Sequence, residues 1–128
     1  MSRDALLACS TFPEIETARR IAQQLVTEKL AACANLIPAV ESIYRWQDKL
    51  ENVQETLVFF KTTATCYAAF QDRLKSLHPY DVPEIICLRI EDGLPEYLRW
   101  VSAGCSPGSG RHGRRHRADP TVNQIRPR

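Results

Sequence analysis

A thiol, an imidazole and several carboxylates occupy positions in this chain that a compact fold can bring together. Cys9 closes the apolar run Ala5-Leu6-Leu7-Ala8-Cys9, and His78 opens the segment His78-Pro79-Tyr80-Asp81-Val82-Pro83-Glu84. Thiolate and neutral imidazole are soft-to-borderline ligands that suit copper or zinc better than magnesium or calcium, which take oxygen. Two ligands are few, so water, a carboxylate such as Glu84, or Cys33 of a neighbouring copy must complete a shell. Each residue also has a plainer role open to it. Cys9 suits a core strand, and His78 suits an imidazole bonded to backbone. Glu55 and Glu84 suit a solvated surface, and Lys61 suits a snorkelling lysine. Trp46 and Tyr80 suit core or interface packing.

The elements that must position these groups are legible from spacing. Residues 5–10 form a short apolar run without a breaker, which predicts a buried strand. Pro13 can open a helix, Glu14 and Glu16 suit its positive end, and Ala18, Ile21, Ala22, Leu25 and Val26 recur at helical spacing, so a helix is expected to about Ala31. Residues 35–46 are rich in strand formers, and Pro38 within them removes a ladder donor and predicts a bend or an edge. Gln47-Asp48-Lys49 is the expected turn and residues 55–62 the return strand. A second amphipathic helix is expected over 64–77, stopping at His78 because Pro79 follows. A strand over 84–90 and a helix over 94–101, opened by Pro95, complete the pattern. The order is β-α-β-β-α-β plus one helix: an α+β, ferredoxin-like antiparallel sheet with two covering helices and a short C-terminal helix. In that topology the last strand lies beside the first and antiparallel to it. The loop after His78 is therefore expected near the end of the first strand, with Cys9 and the hairpin tip at the same end of the sheet.

Five blocks in order, Cys33-Ala34-Asn35-Leu36-Ile37-Pro38, Ser42-Ile43-Tyr44-Arg45-Trp46, Lys61-Thr62, His78 through Ile85, and Tyr97-Leu98-Arg99-Trp100, resemble the CutA divalent-cation tolerance proteins. The resemblance covers about residues 5 to 102. It implies a ferredoxin-like, cytoplasmic homotrimer similar to the PII signalling proteins, linked to tolerance of divalent metals and to copper binding, with no established enzymatic activity. For the site it implies Cys9 and His78 as metal ligands, with copper first and other divalent metals next. It also implies a cleft between subunits, to which Trp46, Glu55, Lys61, Tyr80, Glu84 and Cys33 are assigned. Two departures stand out. Asp48 occupies a hairpin position where members often have Gly, and Leu77 stands where some have a second His.

Composition narrows the alternatives. Up to Ala103 the chain carries 11 Lys+Arg against 14 Asp+Glu, a net −3, whereas the remainder carries a net +5. Residues 1–103 are therefore expected to form one domain, and 104–128 a basic disordered tail that cannot bury enough apolar surface to order itself. The tail lacks an aromatic residue for stacking on bases, so nucleic-acid binding is not favoured. His112 and His116 have the spacing of two metal ligands, but Gly113 disfavours the helix that would align them. No apolar run is long enough to cross a bilayer, and the apolar N-terminal run is too short for a secretion signal, so a cytoplasmic location is expected. The five cysteines include no C-x-x-C pair and suggest reduced thiols rather than a disulfide framework. Neither a phosphate-cradling loop nor a Ser-His-Asp set is legible. The leading expectation is a copper-binding, metal-tolerance protein that is not an enzyme. The alternative is a PII-like trimeric regulator that takes a small molecule or protein partner in the inter-subunit cleft.

Overall fold

The computed structural model describes residues 4–106. Four strands and three helices follow in the expected order: β1 (Ala5–Phe12), α1 (Ile15–Thr27), β2 (Cys33–Trp46), β3 (Lys49–Thr63), α2 (Ala64–Leu77), β4 (Ile85–Arg89) and α3 (Pro95–Ala103). The strands form one antiparallel sheet in the order β2-β3-β1-β4. This is the ferredoxin-like α+β arrangement expected from the sequence.

Alternation along the strands divides the side chains between two faces. Ala8 and Phe12 of β1 and Val58 and Phe60 of β3 face α1 and α2. There they close a core with Ala18, Ile21, Ala22, Leu25, Phe70 and Leu74. Burying that apolar stripe drives the packing of both helices. The opposite face carries Leu7, Cys9 and Thr11 of β1, Glu55, Leu57, Phe59 and Lys61 of β3, and Ile86 and Leu88 of β4. Ile86 and Leu88 are 50% and 61% exposed, so this second face leaves large apolar groups in water.

Several boundaries differ from expectation. β1 continues two residues past Ser10, to Phe12. α1 stops at Thr27 rather than near Ala31, because Lys29 takes a left-handed backbone (φ 62°). The N–H groups of Lys29 and Leu30 then close back on the Val26 and Leu25 carbonyls, and Leu30 turns into the core. The start of α2 is capped by the Thr63 hydroxyl, which accepts from the Cys66 N–H at 3.1 Å. α2 ends at Leu77, as Pro79 requires. α3 has Pro95 in its first turn and runs to Ala103. The folded unit does not stop there. The Ser106 N–H donates to the Lys29 carbonyl at 2.9 Å, and Gly104 approaches Ala32 so closely that an added Cβ would lie 3.0 Å from the Ala32 Cβ. Gly104 and Ser106 thus pack against the turn that follows α1. The basic segment with His112 and His116 lies outside the described residues.

Pro38 does what its missing N–H demands. Between Ile37 and Val40 the β2–β3 register slips by one residue, at a bulge where Ala39 takes φ 60°. The slip exchanges faces: Cys33, Asn35 and Ile37 share a face with the β3 residues Lys61, Phe59 and Leu57, but beyond the bulge it is Val40, Ser42, Tyr44 and Trp46 that do so with Glu55, Val53, Glu51 and Lys49. Without the extra residue, Ser42 and Trp46 would point to the helix side.

Candidate metal-binding face

The side chains singled out in the sequence fall into three groups. The first lies at the base of the hairpin. Glu55 is buried, and its carboxylate accepts from Ser42 Oγ at 2.8 Å and from Tyr80 Oη at 2.7 Å. Trp46, Glu55 and Glu84 line a cleft of about 420 Å³ here. Trp46, Glu55, Tyr80 and Glu84 are therefore brought together within one chain. Ser42 belongs with them, placed there by the register slip between Ile37 and Val40.

The second group is at the opposite end. Lys61 Nζ donates to Asn35 Oδ1 at 2.7 Å and lies 3.6 Å from Cys33 Sγ, which in turn lies 3.6 Å from Tyr97 Oη. Lys61 and Glu55 are six residues apart on one strand, about 20 Å at the usual rise. Within one chain, Cys33 and Lys61 therefore stand apart from the cleft of Glu55 and Glu84.

The third group concerns Cys9 and His78. Cys9 is the fifth of eight residues of β1 rather than near its end, and it stands on the face away from the helices. His78 is buried and stacks on Phe12, which points to the helix side, with ring centroids 4.5 Å apart. Both of its ring nitrogens are engaged: Nδ1 accepts from the Tyr80 N–H at 3.1 Å, and Nε2 lies 2.9 Å from the Thr11 carbonyl. The first bond makes Nε2 the protonated nitrogen, which donates to Thr11. The expected Cys9–His78 pair is thus separated by the sheet, and His78 ligates a metal only by giving up one of these bonds. The sheet topology was right about the end of the sheet but silent about the face.

Glu84 takes the place beside Cys9 that His78 was expected to fill. Ser10 pairs with Ile85 and Cys9 with Ile86, so Glu84 continues the strand to the register position of Thr11, on the face of Cys9. Burial pushes the Cys9 thiol up from its ordinary value, and the Glu84 carboxylate pushes it further. Between them stands Thr11, 6% exposed, whose Oγ1 is buried without a hydrogen-bond partner. A thiol, a hydroxyl without a hydrogen-bond partner and a carboxylate thus share one face of the sheet at neighbouring register positions. Among the described residues no three His, Cys, Asp or Glu converge as a ready-made metal cluster. Thr11 went unnoticed in the sequence; the alternation that places Cys9 could have found it once β1 is extended to Phe12.

The chain is similar to known proteins over nearly all of its described length. The profile of the CutA1 divalent ion tolerance protein matches residues 6–104. A divalent-cation tolerance protein CutA from Thermus thermophilus is 50% identical over 91 residues, covering 71% of this chain and 88% of that protein. The crystal structure of CutA1 from Oryza sativa superposes with a TM-score of 0.79 at 35% identity, over 82% of this chain and 96% of that one. The structure of a periplasmic divalent cation tolerance protein CutA from Archaeoglobus fulgidus superposes with a TM-score of 0.75 at 36% identity, over 78% of this chain and 97% of that one. The chain spans 51% to 60% of the vertebrate relatives it matches.

Proposed function

The chain belongs to the CutA1 divalent ion tolerance family, and from that premise we propose that it is a metal-binding protein rather than an enzyme, taking a divalent cation as cargo on the sheet face away from α1 and α2. Cys9 and Glu84 supply the charged donors and Thr11 a neutral one. The observation that carries this reading is the buried, unpartnered Thr11 Oγ1 between a thiol and a carboxylate on one face. Leaving such an atom unsatisfied costs about 1–3 kcal/mol, which a bound cation or its water would relieve. Copper is the metal of choice, because sulfur is present and copper heads the divalent affinity order. His78 is assigned a supporting role: it ties the loop that carries Glu84 to β1.

Two donors on one chain leave room for ligands from another copy, and the open sheet face offers a surface to meet it. β1 pairing ends at Phe12 opposite Thr56, so the β3 residues before Thr56 have no β1 partner on that side. Ile86 and Leu88 are exposed on the same face as the proposed donors. Unpaired strand edges and exposed apolar faces are features that proteins cover. A homotrimer, the closed assembly expected from the resemblance, covers both and leaves no open edge. A cytoplasmic location is part of the same proposal, since it keeps the thiols reduced. Among the described residues no helix is long and apolar enough to cross a membrane.

Light scattering at micromolar concentration tests the assembly: three times the chain mass is expected, and a monomer contradicts it. Leu88→Lys, which places a charge on the open face, is expected to dissociate the assembly. The PII-like alternative keeps one supporting observation, the cleft of about 420 Å³ lined by Trp46, Glu55 and Glu84. Calorimetry with nucleotides separates it from the metal reading.

A further inference from the structure

Two of the five thiols meet where β3 passes into α2. Cys66 lies in the first turn of α2 and is fully buried, while Cys105 follows α3 and is half-buried. Their side chains are within hydrogen-bonding reach of one another. Thr62 stands beside the pair: its hydroxyl donates to the Leu30 carbonyl at 2.7 Å and lies 4.0 Å from Cys105 Sγ. Both partners are held by their backbones. The Cys66 N–H donates to the Thr63 hydroxyl at 3.1 Å. The Cys105 N–H donates to the Ser102 carbonyl at 3.3 Å, and the next residue, Ser106, is bonded to Lys29 at 2.9 Å. Thr62 pairs with Leu6 and so shares the helix side of the sheet with Ala8 and Phe60, which keeps the two thiols off the open face. The other three are dispersed, Cys9 on the open face, Cys33 beside Lys61 and Cys87 beside Tyr67.

We infer that Cys66 and Cys105 form a reversible redox staple, closed by exchange with low-molecular-weight disulfides, the class to which oxidised glutathione belongs. Cys105 is the more accessible thiol and reacts first. Its sulfur, as thiolate, attacks one sulfur of R–S–S–R; a Cys105–S–S–R bond forms, the original S–S bond breaks, and R–S⁻ leaves. The Cys66 thiolate then attacks the Cys105 sulfur, the intrachain S–S bond forms, and the second R–S⁻ leaves. Each departing thiolate takes up one of the two protons that the cysteines gave up. The two cysteines are oxidised and R–S–S–R is reduced to two R–SH. Thiols that the fold already holds side by side lose little freedom on joining, which favours the second step. Burial pushes both thiols up, so the thiolate is scarce and closure is slow. The bond ties the segment after α3 to the start of α2, in addition to the Ser106–Lys29 hydrogen bond.

The experiment incubates the full, reduced chain with excess oxidised glutathione at mildly alkaline pH under native conditions. Remaining thiols are then alkylated in denaturant and the peptides mapped by mass spectrometry. A cross-link between the Cys66 and Cys105 peptides is expected, within one chain on a non-reducing gel. The oxidised protein is expected to melt at least about 5 °C higher, because the bond closes a long loop of the unfolded chain. Dithiothreitol should reverse both changes. Cys105→Ala is expected to show neither the cross-link nor the rise, and Cys87→Ala to show both. Cys66 and Cys105 both still alkylated after the incubation, a cross-link that forms only once the protein is unfolded, or an oxidised chain that melts no higher than the reduced one would each overturn the proposal.

Discussion

His78 and Thr11 are joined by a hydrogen bond of 2.9 Å from the imidazole Nε2 to the main-chain carbonyl of β1. With Nδ1 accepting from the Tyr80 N–H, the ring clamps the segment after α2 to the first strand. That clamp delivers Glu84 to the face of Cys9. Removing it from a buried setting leaves a carbonyl and an N–H to find new partners. His78→Ala is therefore expected to lower stability by about 1–3 kcal/mol. Denaturant unfolding reads the loss. Copper affinity under native conditions should stay within a few-fold of the parent, whereas loss of all binding would return the imidazole to the ligand set.

The hairpin turn is built from two residues with left-handed backbone, Gln47 (φ 52°) and Asp48 (φ 66°). This is the geometry of a two-residue turn that matches strand twist and favours Gly at its second position. Asp48→Gly is expected to stabilise the chain by about 0.5–1 kcal/mol, by removing the Cβ from a strained position. An unchanged or lowered denaturation midpoint would contradict it.

The far end of the folded unit makes a sharper case. Truncation after Ser106 keeps every contact described at this end of the chain. Truncation after Ala103 removes the Ser106–Lys29 hydrogen bond and the half-buried Cys105, and should cost about 1–2 kcal/mol. Equal melting temperatures for the two truncations would mean that Gly104, Cys105 and Ser106 add nothing.

How much of this was legible in the sequence depends on whether a feature is set locally. Element order, the stop of α2 before Pro79 and the disturbance at Pro38 follow from single residues with fixed backbone demands, and they were readable. The end of α1 was not, because Glu28 and Lys29 are good helix formers. What stops the helix is Leu30 turning into the core, a tertiary contact that forces Lys29 into φ 62°. The face on which Cys9 stands was readable by alternation. That His78 stacks on the other face depends on how Phe12 packs, and β1 was expected to stop at Ser10. The net effect of the Pro38 bulge, which puts Ser42 and Trp46 beside Glu55, rests on one inserted residue that the proline alone does not announce.

The buried thiols set an alkaline limit. Burial raises Cys9, Cys66 and Cys105 above the ordinary value of 9.0, Cys105 to about 11 with Cys66 contributing. A raised thiol pKa means that the fold favours the protonated form. The stability linked to these groups is therefore complete below the unfolded value of 9.0 and is lost as pH climbs toward about 11. The melting temperature should fall over that interval. In Cys105→Ala, which lacks the group raised furthest, the fall should be shallower; an identical slope would contradict the assignment.

The same protonated thiol governs metal uptake, because a cation must displace the Cys9 proton before sulfur can bind. Binding that releases one proton strengthens about tenfold per pH unit below the thiol pKa. Copper titration by calorimetry, in the full chain carrying His112→Ala and His116→Ala to remove the histidines beyond the described residues, tests the account most directly. The parent should bind with affinity rising from pH 6 to pH 8 by about tenfold per unit, and the Cys9→Ser, Glu84→Gln double variant should bind at least about tenfold more weakly. A double variant that binds as tightly as its parent, with the same pH dependence, would show that the metal lies elsewhere.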